Sequence, residues 1–213
     1  FGYGFGAVYS AAGQGKYIQF LAPGIIGMSI IFTSIFNGVQ IIWDRQFGFL
    51  KETLVAPVPR IAIMLGRTLG GATVAALQGC IVLLATSLVG FRPESWLLVV
   101  PAILIMLLIG TLFSALGLAV GSLMRDFQGF QLVMNFLVMP LFFLSGALFP
   151  LNNVPTVLLW IARADPLSYV IDALRILLIN VSVFGFGLDL SVLLGVTALF
   201  LLAGSYSFSK IQA

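Results

Sequence analysis

The chain of 213 residues has no histidine, one cysteine and little charge: 10 Lys and Arg with 7 Asp and Glu make up 8% of it. Without histidine, Ser/His/Asp and Cys/His catalysis, imidazole general-base chemistry and Cys/His zinc sites are all excluded. Cys80 sits inside an apolar run and reads as a small buried residue, since a redox thiol needs an exposed, electropositive setting. No phosphate-binding loop occurs, because Gly13-Gln14-Gly15-Lys16 lacks the upstream glycine and the following Ser or Thr. The carboxylates Asp44, Glu52, Glu94, Asp126, Asp165, Asp172 and Asp189 are scattered, with no sign of the buried acidic relay that a proton-coupled transporter uses. The chain reads as no enzyme, with no metal site, no cofactor of its own and no internal energy source.

What is abundant is apolar. The chain is 61% hydrophobic with a mean hydropathy of +1.16, too little polar surface for a soluble domain of this size. Its class is an all-α polytopic membrane protein, read as a single transmembrane domain over 1–213. A span needs about 20 apolar residues, and five are read at 20–43, 69–89, 96–123, 130–149 and 190–208. The net charge of +3 comes from few residues and reads as a topology signal, not as nucleic-acid affinity. The chain starts at Phe1 with a Gly- and aromatic-rich run that lacks the features of a signal peptide, so a missing N-terminal portion is expected.

Charge is concentrated in one place. Asp44, Arg45, Lys51, Glu52 and Arg60 all fall in the loop 44–60. Gly48 and the Pro57/Pro59 pair bracket two turns of helix over 49–56, whose Phe49, Leu50, Leu54 and Val55 are loosely amphipathic. A membrane protein that gathers its charges in one loop presents that loop to something in water. Plainer readings stand beside this one: Arg45 and Lys51 set topology, Glu52 pairs with them, and the prolines stop a helix. With five spans, this loop, the 124–129 turn and the C-terminus share a side carrying Arg45, Lys51, Arg60, Arg67, Arg125 and Lys210. The other side carries Lys16, Arg92, Arg163 and Arg175, so the positive-inside rule makes the loop and C-terminus cytoplasmic in a plasma-membrane protein.

Three further features stand out. Gly110, Ser114, Gly117 and Gly121 share one helical face, suited to close helix packing within the chain or to a dimer contact. Asn37, Gln40 and Asn135 are rare polar points in apolar spans and mark either a translocation path or ordinary interhelical bonding. The segment 150–189 is cut by Pro150, Pro155 and Pro166 and carries Asp172 and Arg175 at i, i+3. Two charges in mid-span are costly, so the favoured reading is outer-side re-entrant half-helices; a full span over 167–183 with a neutralised Asp172–Arg175 pair stays open.

Three ordered patterns resemble the membrane subunits of the second type of ATP-binding-cassette (ABC) exporter, similar to daunorubicin-resistance permeases. The first is Tyr17-Ile18-Gln19-Phe20-Leu21-Ala22-Pro23-Gly24. The second runs from Asp44-Arg45 through Lys51-Glu52-Thr53-Leu54 to Ala56-Pro57-Val58-Pro59-Arg60. The third is Phe143-Leu144-Ser145-Gly146-Ala147-Leu148-Phe149-Pro150, then Asp165-Pro166-Leu167-Ser168-Tyr169, then Asp172-Ala173-Leu174-Arg175. The resemblance implies six spans in the intact protein, two re-entrant helices before the last span, and a working unit of two permeases with two ATPases that hold ATP and Mg. It implies an ATPase-coupling role for Arg45, Phe49, Leu50, Lys51, Glu52, Leu54 and Arg60. It places Ser145, Gly146, Pro150, Pro166, Tyr169, Asp172 and Arg175 in the re-entrant segment. Expected partners are a cytoplasmic ABC ATPase, a second permease chain (identical or not) and the bilayer, with export and multidrug resistance as the implied themes. Two other readings remain: a secondary transporter or channel using Asp172 and Arg175, and a membrane scaffold that transports nothing.

Overall fold

A computed structural model of the chain describes residues 17–55, 57–124, 126–149 and 155–209. Lys16, Ala56, Arg125, Pro150 and Lys210 lie outside these residues, as do the side chains of Lys51 and Leu54. Among the described residues there are nine α-helices, one 3-10 turn and no strand. In chain order they are α1 (Tyr17–Phe36), α2 (Val39–Gln46), α3 (Phe49–Val55), α4 (Arg60–Leu88), α5 (Val99–Leu123), α6 (Phe127–Leu144), α7 (Thr156–Ala164), α8 (Pro166–Ile179) and α9 (Phe186–Ser209). Among the described residues five segments are long and apolar enough to cross a membrane: Tyr17–Gln46, Arg60–Leu88, Trp96–Leu123, Phe127–Leu144 and Phe186–Phe208. The protein is thus an all-α, multi-pass membrane protein.

The first of these segments is broken where it meets α5. At Asn37-Gly38 the backbone makes i→i+3 bonds, Asn37 N–H to the Ser34 carbonyl at 3.2 Å and Gly38 N–H to that of Ile35 at 2.9 Å. The small-residue face of α5 explains the break. A Cβ on Gly110 would stand 2.9 Å from the Ala72 carbonyl oxygen, and one on Gly117 would stand 2.5 Å from that of Ile35. Gly38 and Gly121 are each closed by backbone of the facing segment, and the Ser114 hydroxyl donates to the Ser34 carbonyl at 3.4 Å. Helix backbones in lipid gain by approaching closely, because burial from water does not drive their association. The stripe is filled from within the chain.

Other boundaries follow local chemistry. α4 is one unbroken helix from Arg60, nine residues before the expected span start at 69, because no proline occurs between Pro59 and Pro93. α6 starts on an Asp126 cap, whose carboxylate accepts from Gly129 N–H at 2.6 Å. It ends at Leu144 and not at 149, because Ser145 leads into Gly146 at φ +76°, a left-handed turn that favours glycine. α9 begins at Phe186, four residues ahead of the expected 190.

The segment before α9 forms two short helices. α7 has 9 residues and α8 has 14, about 21 Å at 1.5 Å per residue, against about 30 Å of hydrocarbon. A full span over 167–183 is therefore not what forms. α8 stops at Ile179 because Asn180 turns left-handed at φ 53°. The loop 44–60 and this segment lie at opposite ends of the bundle, since α4 runs away from the loop to the 91–95 turn, where Glu94 N–H donates to the Leu178 carbonyl at 3.0 Å.

Candidate functional site

At the loop end, Gly48 at φ +84° turns the chain from α2 into α3. Leu50 points inward and packs with Ile41, Met64, Ala115, Leu118 and Phe208, which come from four of the five spans. Other described loop residues turn apolar groups outward: Phe47 is 72% exposed, Phe49 57% and Val55 83%, as is Ile61 just past the loop at 57%. Glu52 and Arg60 are also on the surface. A short helix clipped down by one leucine, with aromatic and aliphatic groups facing out among charges, has the make-up of a contact surface.

Arg45 does not belong to that outward face. Its Nη1 donates to the Met124 carbonyl and its Nη2 to the Ser122 carbonyl, both at 2.9 Å, so it caps the C-terminal end of α5. A cation there satisfies carbonyls that the helix leaves unbonded and complements its dipole. Beside it, Asp44 forms an ion pair with Arg67 of α4 at 2.6 Å. In the sequence Arg45 reads as part of a loop turned to water and Arg67 as one of the basic residues that set its side. The structure uses both to tie the loop to α4 and α5.

Next to that pair lies a cavity of about 360 Å³ between the α1–α2 break and α4, lined by Thr33, Asn37, Gln40, Arg67, Gly70 and Val74 among others. Asn37 Nδ2 donates to the Arg67 carbonyl at 3.0 Å. Two of the three expected path residues, Asn37 and Gln40, thus meet here, whereas Asn135 sits exposed on α6 and does not line this cavity. Thr33 and Arg67 were missed as lining residues. The available signal for Arg67 was a cation two turns inside a helix that enters a span.

At the far end the charged residues bond to backbone. Asp172 accepts from Val183 N–H at 2.9 and 3.0 Å and from Phe184 N–H at 2.8 Å. Arg175 Nη2 donates to the Gly146 and Ala147 carbonyls at 2.9 and 3.2 Å, with its guanidinium 3.8 Å above the Phe20 ring. The two therefore act as separate staples, Asp172 on the turn into α9 and Arg175 on the turn out of α6. The Ser145 hydroxyl donates to the Phe142 carbonyl at 2.7 Å, and Tyr169 Oη donates to the Arg163 carbonyl at 2.6 Å. Pro166 opens α8 in its first turn, where a proline costs little, and Asp165 caps that helix by accepting from Leu167 N–H at 2.9 Å. Burial pushes the Asp165 carboxyl up to about 7, with the Leu167 bond pulling the other way. Asp189, fully buried in the first turn of α9, lies beside Asp172. Among the described residues no group of three or more His, Cys, Asp or Glu is placed to hold a metal.

Comparison with known proteins bears on this geometry. A family model described as ABC-2 type transporter matches residues 1–179. Nodulation protein J of Rhizobium leguminosarum bv. trifolii is 31% identical over 176 residues, covering 82% of this chain and 66% of that protein. The inner membrane transport permease YadH of Escherichia coli (strain K12) is 32% identical over 162 residues, covering 75% of this chain and 62% of that protein. Nodulation protein J of Rhizobium meliloti (strain 1021) is 26% identical over 194 residues, 90% of this chain and 73% of that one. The chain thus spans about two thirds of the length of the first two relatives.

Proposed function

The chain belongs to the ABC-2 type transporter family and is a transmembrane permease of an ABC transporter, and from that premise we propose that it is an export subunit. Its cargo is a hydrophobic or amphipathic molecule such as a drug, a lipid or a lipid-linked glycan. The loop 44–60 faces the cytoplasm and docks on a separate ATPase chain that holds ATP and Mg. Two permeases and two ATPases make the working unit.

The observation that carries this reading is the build of α3. Its outward Phe49 and Val55, with Phe47 just before it, offer apolar surface to a partner in water. Its inward Leu50 belongs to a buried cluster whose other members come from four spans, and the neighbouring Arg45 holds the end of α5. A push on α3 is therefore delivered to the packed spans and not absorbed by a slack loop. In energetic terms, the ATPase binds one of two arrangements of the membrane dimer more tightly and so shifts the balance between them.

The test is purification of the full-length chain from its native membrane in mild detergent, scored for a co-purifying ATP-binding subunit. The pair Phe47→Ser and Val55→Ser is expected to lose that subunit while the permease stays monodisperse. If no ATP-binding chain comes down with the intact protein, the docking role of the loop fails.

A further inference from the structure

We propose that the seam between α1 and α4 binds an amphiphile with an anionic head group, held by Arg67 in competition with Asp44, so that occupancy is signalled to the coupling loop. This rests on the permease reading above and names the kind of molecule and the place.

The head-group end is the cavity of about 360 Å³ at the α1–α2 break. Thr33, Asn37 and Gln40 bring hydroxyl and amide groups, and Arg67 brings the positive charge. The Arg67 fork is only half used: Nη2 pairs with Asp44, while Nη1 is buried without a hydrogen-bond partner. A planar guanidinium favours two parallel bonds to a carboxylate or phosphate. One such anion would satisfy both nitrogens, and Asp44 is its direct competitor.

The tail end lies on the same side of the same seam. A second, apolar pocket of about 240 Å³ is lined by Ile18, Leu21, Ala22 and Ile25 of α1 with Ala85 and Val89 of α4, among others. Arg67 and Ala85 are 18 residues apart, five full turns, so they share an azimuth, and Val74 falls between them on that face. On α1, Ala22 and Thr33 are 11 residues apart, three turns, and likewise share a face. Val74, which lines the first pocket, and Ile81 one heptad on are 58% and 59% exposed. The seam is polar and cationic at the coupling-loop end and apolar at the far pocket, roughly 27 Å away along 18 helical residues, with Ser29 and Gln78 on the same faces in between.

The link to the loop is geometric. Asp44 stands two residues from the end of α2 and next to Arg45, which holds α5. An anion that takes Arg67 releases Asp44, and with it one of the ties holding the loop. The same substitution that removes Asp44's charge should therefore tighten ligand binding.

The experiment measures binding of fluorescent lysophosphatidate to the full-length protein in phosphatidylcholine nanodiscs without nucleotide, with partition into empty nanodiscs subtracted. Fluorescent lysophosphatidylcholine and inorganic phosphate as a competitor are run alongside. Saturable binding is expected for the anionic lysophosphatidate and not for the zwitterionic lysophosphatidylcholine, weakened on the order of tenfold by Arg67→Gln and partly restored in Arg67→Lys. Gly70→Leu should abolish it by filling the cavity, since a Cβ at Gly70 meets nothing within 4 Å and leucine favours the helix. Asp44→Asn should tighten it. No saturable binding, as when a second permease copy covers the seam, overturns the proposal, as does equal binding of the zwitterionic probe or of Arg67→Gln. Equal competition by inorganic phosphate overturns the amphiphile assignment, and unchanged binding in Asp44→Asn overturns the displacement step. Because no ATPase activity is read, this result and the co-purification above succeed or fail separately.

Discussion

The two ends of the helix bundle treat the same ingredients in opposite ways. At the loop end, apolar groups are on the surface: Phe47, Phe49, Val55 and Ile61 are all more than half exposed. At the far end, charges are inside: Asp165 is 2% exposed, Asp172 2%, Arg175 3% and Asp189 0%. There Asp172 and Arg175 bond to the backbone of turns, so they fix where α6 ends and α9 begins. Exposed apolar surface at the loop end is left for a partner, whereas these two buried charges are used inside the fold. The far end is built to hold shape, and the loop end to meet something.

Breaking the far end should therefore hurt most. Asp172→Ala removes three charge-assisted bonds and leaves the part-buried Val183 and Phe184 N–H groups without this acceptor, a loss of about 1–3 kcal/mol for each group. Thermal unfolding in detergent should show a large drop in Tm. Asp172→Asn, which keeps one accepting oxygen, should lose less. A smaller and pH-dependent effect is expected at Asp165. Its carboxyl is raised from 3.8 to about 7 by burial, and its Oδ2 has no hydrogen-bond partner in the described structure. A carboxyl whose folded value is raised contributes stability that is fully present below about 3.8 and is lost as pH rises through about 7. Tm should fall across that window, and Asp165→Asn, which still caps α8, should flatten the slope.

Much of this architecture was legible in the sequence. Five apolar runs gave five spans, and the spacing of Gly110, Ser114, Gly117 and Gly121 marked the face on which α1 and α4 approach α5. Pro155 and Pro166 marked the two short helices. What escaped was the destination of charged side chains. Arg45 and Glu52 look alike in a charged loop, yet one bonds to carbonyls 77 and 79 residues away and the other stays on the surface. Asp172 and Arg175 at i, i+3 invited a pairing, but each bonds instead to a turn that only tertiary folding brings near. The break at Asn37-Gly38 was equally hidden, because an isolated glycine in an apolar run does not announce that another helix's glycine will face it.

Arg45 is the intermediate case, a loop-end residue used in the far-end manner. Arg45→Ala should cost about 1–2 kcal/mol, because it removes two charge-assisted bonds from a half-buried helix end whose carbonyls water can partly reach. The ATP-binding subunit should still co-purify, since the outward face of α3 is unchanged. If Arg45→Ala instead abolishes co-purification with Tm unchanged, Arg45 works at the docking face and the comparison between the two ends is blurred.

The smallest effect on the fold is expected at the residues that matter most to the partner. Phe47 and Val55 are 72% and 83% exposed, so replacing both by serine removes little packing, and surface changes of this kind stay within about 0.5 kcal/mol. In a chain of this size that is a Tm shift of about 1–2 °C. Leu50→Ser supplies the contrast on the same helix, because Leu50 is 2% exposed and sits in a buried cluster with members from four spans. Its loss should lower Tm by an amount typical of a buried leucine truncated, about 2–5 kcal/mol. The two variants together separate surface from anchor: unchanged Tm with the partner lost in the first, lowered Tm in the second. If the serine pair lowers Tm as much as Leu50→Ser does, then Phe47 and Val55 are packed against the permease itself, and the loop end is built to hold shape like the far end.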